Sequence, residues 1–293
     1  MTAPGGSTPG GTAKLADYTV TRIGFGAMQL ESQRADHDTA VAILRRVADA
    51  GINHIDTAQF YGQCNALIRA ALAPYPGDLV LVTKVGAERY ADGRFAAAQQ
   101  PAQLRAQVEA NLAALGVDQV GVVNLRRADA PPGILAEGDQ VVGLDDQLAE
   151  LVSLREAGKI GGIGLSNVSA GQLRQALPAG IACVQNAYNV LDRTAEPVLE
   201  LCREHGIAWV PFFPLGSALA KLPRVTQDPT VLAIAGELAV TPAQVGLAWL
   251  LAHYQGTLLI PGTANPAHLA ENVAAGAVQL PASALAALSQ LAS

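Results

Sequence analysis

Three residues of this chain have types and spacing that point to chemistry: Asp56, Tyr61 and Lys84. Asp56 closes a short β-rich run at residues 53–56, and Tyr61 follows in the next loop. Lys84 directly follows a second such run at residues 79–83. If the two runs are neighbouring parallel strands, the three side chains meet at one end of a sheet. A lysine ammonium beside a tyrosine hydroxyl favours phenolate and lowers the phenol pKa. An aspartate beside that lysine orients it and offsets its charge. A phenol held this way can trade a proton with a carbonyl or alcohol oxygen near neutral pH, which is general acid–base work rather than nucleophilic work. Taken singly, a strand-end lysine is a solvated charge and a loop tyrosine packs with a wet tip. Their conjunction carries the reading.

The elements that must position them follow a repeated alternation. Strands are predicted at residues 22–25, 53–56, 79–83, 120–125, 162–165, 182–185, 208–212 and 257–260. Helices are predicted at 38–50, 64–72, 101–115, 145–157, 169–176, 195–205, 242–253 and 266–274, the last being read as the final helix. Val41, Leu44, Val47 and Ala48 recur at helical spacing, and Gly51 stops that helix. Pro101 opens and Gly116 ends another. Eight βα units predict a parallel sheet closed into a barrel: an α/β, single-domain (β/α)8 TIM barrel over residues 15–293, after a flexible tail at 1–14. The competing open doubly wound sheet often carries G-x-G-x-x-G after its first strand. Here Gly24-Phe25-Gly26-Ala27-Met28-Gln29 lacks the third glycine.

Two connections, 126–144 and 214–230, are long. Both leave C-terminal strand ends, the catalytic face of such barrels, so they are candidates for covering the substrate, with floppy surface insertions as the alternative. A net charge of −6 with 15% charged residues argues against nucleic acid or an anionic membrane as partner. Three widely spaced cysteines, Cys64, Cys183 and Cys202, suit a reducing cytoplasm and show no metal-site spacing. No apolar stretch approaches a membrane span, and the start of the chain lacks a secretory h-region. A cytoplasmic protein is expected.

Several motifs carry a family resemblance. Gly51-Ile52-Asn53-His54-Ile55-Asp56-Thr57-Ala58-Gln59-Phe60-Tyr61-Gly62 resembles the aldo-keto reductase segment G-x-N-x-[IF]-D-T-A-x-x-Y-G. Thr83-Lys84 resembles that family's T-K. Gly158-Lys159-Ile160-Gly161-Gly162-Ile163-Gly164-Leu165-Ser166-Asn167 resembles its G-K-[IV]-[RG]-x-[IL]-G-[LV]-S-N. Gln185, Tyr188 and Asn189 resemble Q-x-x-Y-N, and Pro214-Leu215-Gly216 and Ile260-Pro261-Gly262-Thr263 match two further segments. The resemblance implies a carbonyl–alcohol oxidoreductase using NADPH/NADP, with NADH possible. Asp56, Tyr61 and Lys84 match catalytic residues, Tyr61 being the proton donor. Ser166, Asn167 and Gln185 match residues that hydrogen-bond the nicotinamide carboxamide. Phe212 matches the aromatic that stacks on the nicotinamide ring. Pro214, Leu215 and Gly216 match the pyrophosphate lining. Gly262, Thr263, His268, Glu271 and Asn272 match the segment that grips the adenosine 2′-phosphate and adenine.

The chain departs from the family in two places. Arg126 stands where a histidine is usual, as in a bacterial subset that reads V-N-L-R. Two cations beside Tyr61 are expected to lower its pKa further, favouring alcohol oxidation or an anionic or strongly polar carbonyl substrate. The plain alternative turns Arg126 outward or pairs it with Asp129. In the phosphate segment, Gly262, Thr263 and His268 replace the frequent K-S-x-x-x-x-R, leaving a helix N-terminus at Pro266 to cradle phosphate. His54 is expected to be a packed, hydrogen-bonded core residue.

Phe25, Met28 and Phe60 are expected in the substrate pocket, joined by Pro131, Pro132, Ile134, Leu135, Leu219 and Leu222 from the loops. A pyridoxal-type aldehyde, a sugar-derived ketone and an aromatic aldehyde all fit. Two rivals stand beside the reductase: a non-catalytic nicotinamide-binding regulatory subunit on the same barrel, and an aldolase using Lys84 as a Schiff base. Oligomeric state is not legible.

Overall fold

A computed structural model describes residues 8–31, 36–90, 92–131, 133–216 and 223–291. Residues 1–7 of the tail expected at 1–14, and Pro132, Leu219 and Leu222, lie outside the described residues.

The chain enters through a hairpin of β1 (Thr12–Leu15) and β2 (Tyr18–Thr21). This hairpin begins inside the stretch expected to be a flexible tail. The barrel wall follows as β3 (Phe25–Gly26), β4 (His54–Asp56) and β5 (Val80–Val85). A second hairpin, β6 (Ala87–Arg89) and β7 (Phe95–Ala97), interrupts it. The wall resumes with β8 (Val120–Arg126), β9 (Ile160–Ser166), β10 (Ile181–Gln185) and β11 (Ala208–Trp209). The wall strands form one parallel sheet in the order β11-β10-β9-β8-β5-β4-β3.

The segment 257–260 closes the barrel. It bridges β11 through Trp209 and Thr257 and the first strand through Ile23 and Leu259, all parallel. Four backbone hydrogen bonds seal the seam: Trp209 to Gly256, Leu258 to Trp209, Leu259 to Arg22 and Gly24 to Leu259, at 2.7–3.0 Å. The predicted eighth strand is therefore present as single bridges rather than a long ladder.

The helices are α1 (His37–Asp49), α2 (Cys64–Leu72), α3 (Pro101–Leu115), α4 (Leu144–Glu156), α5 (Ala170–Ala176) and α6 (Glu196–His205). They continue as α7 (Pro229–Leu238), α8 (Pro242–His253), α9 (Pro266–Ala274) and α10 (Ala282–Ser289). Local signals set their ends. Asp36 caps α1 by accepting from the Thr39 amide, and Thr241 and Gln244 form a capping box at α8. α7 and α10 were not expected; α9 is not the last helix, and the long loop after β11 ends at Asp228, which caps α7.

Side chains alternate across each strand, so the wall has two cores. Val82, Val122, Cys183, Val210 and Leu258 fill the barrel, plugged from below by Leu15 and Val20 of the first hairpin. Leu81, Val123, Leu125, Ile163 and Leu165 face outward against the helices. Phe25 also belongs to that outer layer and is fully buried. It was expected in the substrate pocket. Strand alternation places it on the face opposite Gly24 and Gly26, so it packs under the helices instead. No single helix among the described residues is long and apolar enough to cross a membrane.

Candidate active site

The inward-facing residues turn polar toward the C-terminal strand ends. Asp56, Lys84, Arg126, Ser166 and Gln185 stand at the ends of β4, β5, β8, β9 and β10. Strand register puts them side by side: Asp56 pairs with Val82, two residues before Lys84, and Arg126 pairs with Ser166.

Lys84 Nζ forms a buried ion pair with Asp56 Oδ1 and donates to the Thr57 carbonyl at 3.3 Å. Gln185 Nε2 donates to Asp56 Oδ2 at 2.7 Å. The same ammonium lies 5.4 Å from the Tyr61 ring centroid and acts electrostatically on its phenol. Burial works against the Lys84 charge, but Asp56 and then Tyr61 outweigh it, and the lysine stays above its usual value. Tyr61 behaves differently from expectation. Burial pushes its phenol above the ordinary value, reinforced by the Asp56 carboxylate and opposed by the Lys84 and Arg126 cations. The two cations moderate the acid; desolvation wins because the half-buried phenolate would lose more hydration than they return.

Arg126 faces the site. Its guanidinium sits 5.4 Å from the Phe212 ring centroid and interacts with the Tyr61 phenol. The partner of Asp129 is Arg127, through bonds of 2.7 and 2.8 Å to its two carboxylate oxygens. Arg127 also donates to the Val142 carbonyl at 3.1 Å and to Gln147, while Asn167 Nδ2 reaches the Ala130 carbonyl at 2.6 Å. The loop after β8 is thus anchored by its own first residues rather than floppy.

The residues expected around a nicotinamide converge. Ser166 is buried beside Arg126. Asn167 adopts a left-handed φ of 59°, which asparagine tolerates, and donates its amide to the Gln185 carbonyl. Phe212 is anchored by its amide to Asn186 at 3.0 Å. Gln185 Oε1 is buried without a protein partner. This orphaned acceptor, on a side chain fixed by Asp56, suits the N–H of a carboxamide. Gly216 has φ 82°, and a Cβ there would stand 1.9 Å from the Pro223 carbonyl. Only glycine lets the Pro214–Leu215 backbone turn this closely. Gly262 approaches the Gly26 carbonyl just as tightly.

Further along, Thr263 is buried and accepts from the Asn265 amide at 3.0 Å, and Asn265 caps α9. His268 is exposed, Glu271 half-buried and Asn272 buried on the same helix. Met28 is half-buried in a turn at Ala27–Leu30. Phe60 packs edge-on against Tyr61 and against Phe95 of β7.

Two features escaped the sequence reading. The β6–β7 hairpin brings Phe95 and Arg89 to the site mouth, where Arg89 pairs with Glu31. Behind the wall, Thr57 donates to Asn65 (2.8 Å), Asn65 to Asn111 (2.8 Å), and Thr83 to Asn111 (2.7 Å). This chain fixes the neighbours of Asp56 and Lys84 from the outer face. Asparagines on the core-facing sides of α2 and α3 were its only trace in the sequence.

Comparison with known proteins matches residues 22–293 to the Aldo/keto reductase family. Pyridoxine 4-dehydrogenase of Escherichia coli is 41% identical, covering 92% of this chain and 94% of that protein. The NADP(+) aldo-keto reductase yakc of Schizosaccharomyces pombe is 28% identical, covering 92% and 87%. The crystal structure of a Klebsiella pneumoniae aldo/keto reductase in complex with NADP and acetate superimposes with a TM-score of 0.80 at 25% identity, over 96% of this chain and 94% of that one.

Proposed function

This chain belongs to the aldo/keto reductase family, and from that premise we propose that it interconverts a carbonyl and an alcohol with NADP(H), Tyr61 exchanging the proton. One observation carries the reading: the Lys84 ammonium is paired with the Asp56 carboxylate and lies beside the Tyr61 ring, while Arg126 faces the same phenol. The nicotinamide, when bound, supplies or accepts the hydride. Ser166, Asn167 and the free Gln185 Oε1 would hold its carboxamide, and Phe212 its ring. Pro214, Leu215 and Gly216 would line the pyrophosphate, and Gly262, Thr263, His268, Glu271 and Asn272 the adenosine end. The names of the relatives support NADP as the cofactor.

In reduction, Tyr61 donates its proton to the carbonyl oxygen as charge develops there, and Lys84 stabilises the phenolate left behind. In oxidation the phenolate takes the hydroxyl proton back. The upward push of burial on Tyr61 keeps it a donor at neutral pH, which suits reduction. An aldolase role for Lys84 is disfavoured, because a Schiff-base lysine needs a depressed pKa and this one is raised by Asp56 and Tyr61 against burial.

The substrate class is a pyridoxal-type aldehyde, or pyridoxine in the reverse direction. Identity to pyridoxine 4-dehydrogenase supports this. So does Arg126, whose permanent cation can pair with an ionised ring oxygen beside the reacting carbon. The aromatic edges of Phe60 and Phe95 suit a planar ring. The test is turnover of pyridoxal with NADPH and NADH, and of pyridoxine with NADP+ and NAD+, by the native enzyme and by Tyr61→Phe. The variant should lose about 10²- to 10⁴-fold in kcat while its own tryptophan fluorescence is still quenched on adding NADPH. Unaltered turnover by Tyr61→Phe on every carbonyl tried would refute the acid–base assignment, and NADPH binding by the native protein with no turnover of any carbonyl would favour the regulatory-subunit alternative.

A further inference from the structure

Among the titratable side chains of the barrel interior that the chemistry above does not use is an imidazole. His54 lies two residues before Asp56 on β4, so both side chains enter the barrel from one face. Its imidazole is 2% exposed, and neither Nδ1 nor Nε2 has a protein partner. A Cβ at Gly24 would stand 2.1 Å from Nε2, so the ring fits only because the adjacent strand offers bare backbone there. A neutral imidazole carries one donor and one acceptor, and leaving both unmet in an interior is costly.

His54 also lines a small internal cavity whose other polar walls are Asp56, Gln185 and Cys183, with Leu15 and Val82 among its apolar ones. The space is about that of a single water. The Cys183 thiol is engaged by Asn124 Oδ1 at 3.2 Å. The Asp56 carboxylate takes Lys84 on Oδ1 and Gln185 on Oδ2, which leaves acceptor positions on both oxygens.

We propose that this cavity is an internal water site and that His54, acting through that water, is a positioning residue for Asp56. The imidazole accepts one hydrogen of the water, and the water donates the other to the carboxylate. Asp56 then carries three hydrogen-bond donors, and its pull on Lys84 is moderated. That leaves the ammonium better able to serve the Tyr61 hydroxyl. The charged and titratable groups around the water are Asp56, Cys183 and, through Asp56, Lys84; Arg126 acts on Tyr61 from the other side. The inference rests on the acid–base reading of Asp56, Lys84 and Tyr61.

The test compares His54→Phe and His54→Gln with the native NADP-bound enzyme in steady-state kinetics across pH. His54→Phe removes the partner of the water. Its kcat for reduction should fall about tenfold, the scale of one hydrogen bond to a charged group. The basic limb of the kcat profile should move to higher pH, because the less compensated Asp56 raises Tyr61. The KM for NADPH should not change. His54→Gln, which keeps a polar atom facing the water, should recover most of the loss. Native kcat and pH profile in His54→Phe would overturn the proposal. So would equal loss in both variants with no shift of the limb, since that marks mere packing damage. If His54→Phe does not fold, a high-resolution crystal structure of the NADP-bound enzyme decides. Density for a water touching a His54 nitrogen and the Asp56 carboxylate supports the proposal, and a dry cavity overturns it. Failure of the acid–base reading would show instead in Tyr61→Phe, whatever the His54 variants do.

Discussion

Tyr61 is held by opposing influences: burial and the Asp56 carboxylate favour the phenol, Lys84 and Arg126 favour the phenolate. Replacing Arg126 by histidine removes a permanent cation, so the Tyr61 pKa should rise. The basic limb of the pH–rate profile for reduction should move to higher pH, and a profile indistinguishable from the native one would show that Arg126 does not tune the acid. His54 offers a residue-scale prediction about stability. Burial lowers its pKa from 6.5 to about 4. Between those values the unfolded chain binds a proton that the folded chain refuses. Acid therefore favours unfolding, and stability falls by about 3 kcal/mol as pH drops through that window. Urea midpoints at pH 7 and pH 4.5 should show this loss, and His54→Gln should flatten it. The three cysteines offer no reactive thiolate: burial pushes Cys64 and Cys202 up to about 12, and Cys183 higher still.

The elements behind the site matter as much as those that carry it. Asn111 on α3 accepts from both Asn65 and Thr83 and so ties α2, α3 and β5 together. Asn111→Ala would strand two buried donors, at a cost of about 2–4 kcal/mol. Because Thr57 and Thr83 adjoin Asp56 and Lys84 in the chain, kcat should fall along with the urea midpoint. A stable variant with native kcat would show that the outer-face chain is structural only. The β6–β7 hairpin forms a further wall that the loop-length argument overlooked. Its short strands, β-rich but close to Gly86 and Gly93, read as irregular chain in one dimension. In three, the Arg89–Glu31 pair and Phe95 against Phe60 fasten it over the site mouth.

At the scale of the whole molecule, barrel closure depends on few contacts. The 257–260 segment contributes bridges rather than a ladder, and Arg22 reinforces the seam. Its buried guanidinium donates to the carbonyls of Leu251 (2.6 Å), Tyr254 (2.9 Å) and Thr257 (3.3 Å), with no carboxylate among these partners. Burial lowers its pKa, but arginine remains charged and the carbonyls offset its lost hydration. Arg22→Met should destabilise the protein by about 2–4 kcal/mol through the unpaired carbonyls, read as a lower urea midpoint, while the folded fraction keeps its kcat.

Features encoded by local physics are legible in the order of residues alone. The helices Cys64–Leu72, Pro101–Leu115, Pro242–His253 and Pro266–Ala274 appear with the bounds their proline starts, caps and apolar periodicity predict. The order of βα units follows from the alternation, and with it the meeting of Asp56, Tyr61 and Lys84. Tertiary structure alone decided the rest. Phe25 faces the helices because strand register, not residue type, sets its side. Asp129 belongs to Arg127 because strand alternation turns adjacent arginines to opposite faces. The balance on Tyr61 depends on how much water surrounds it, and no spacing of residues encodes that. Hairpins of three or four residues a strand, and short helices rich in alanine such as α10, leave too little periodicity to read; they exist because the barrel gives them a surface to pack on.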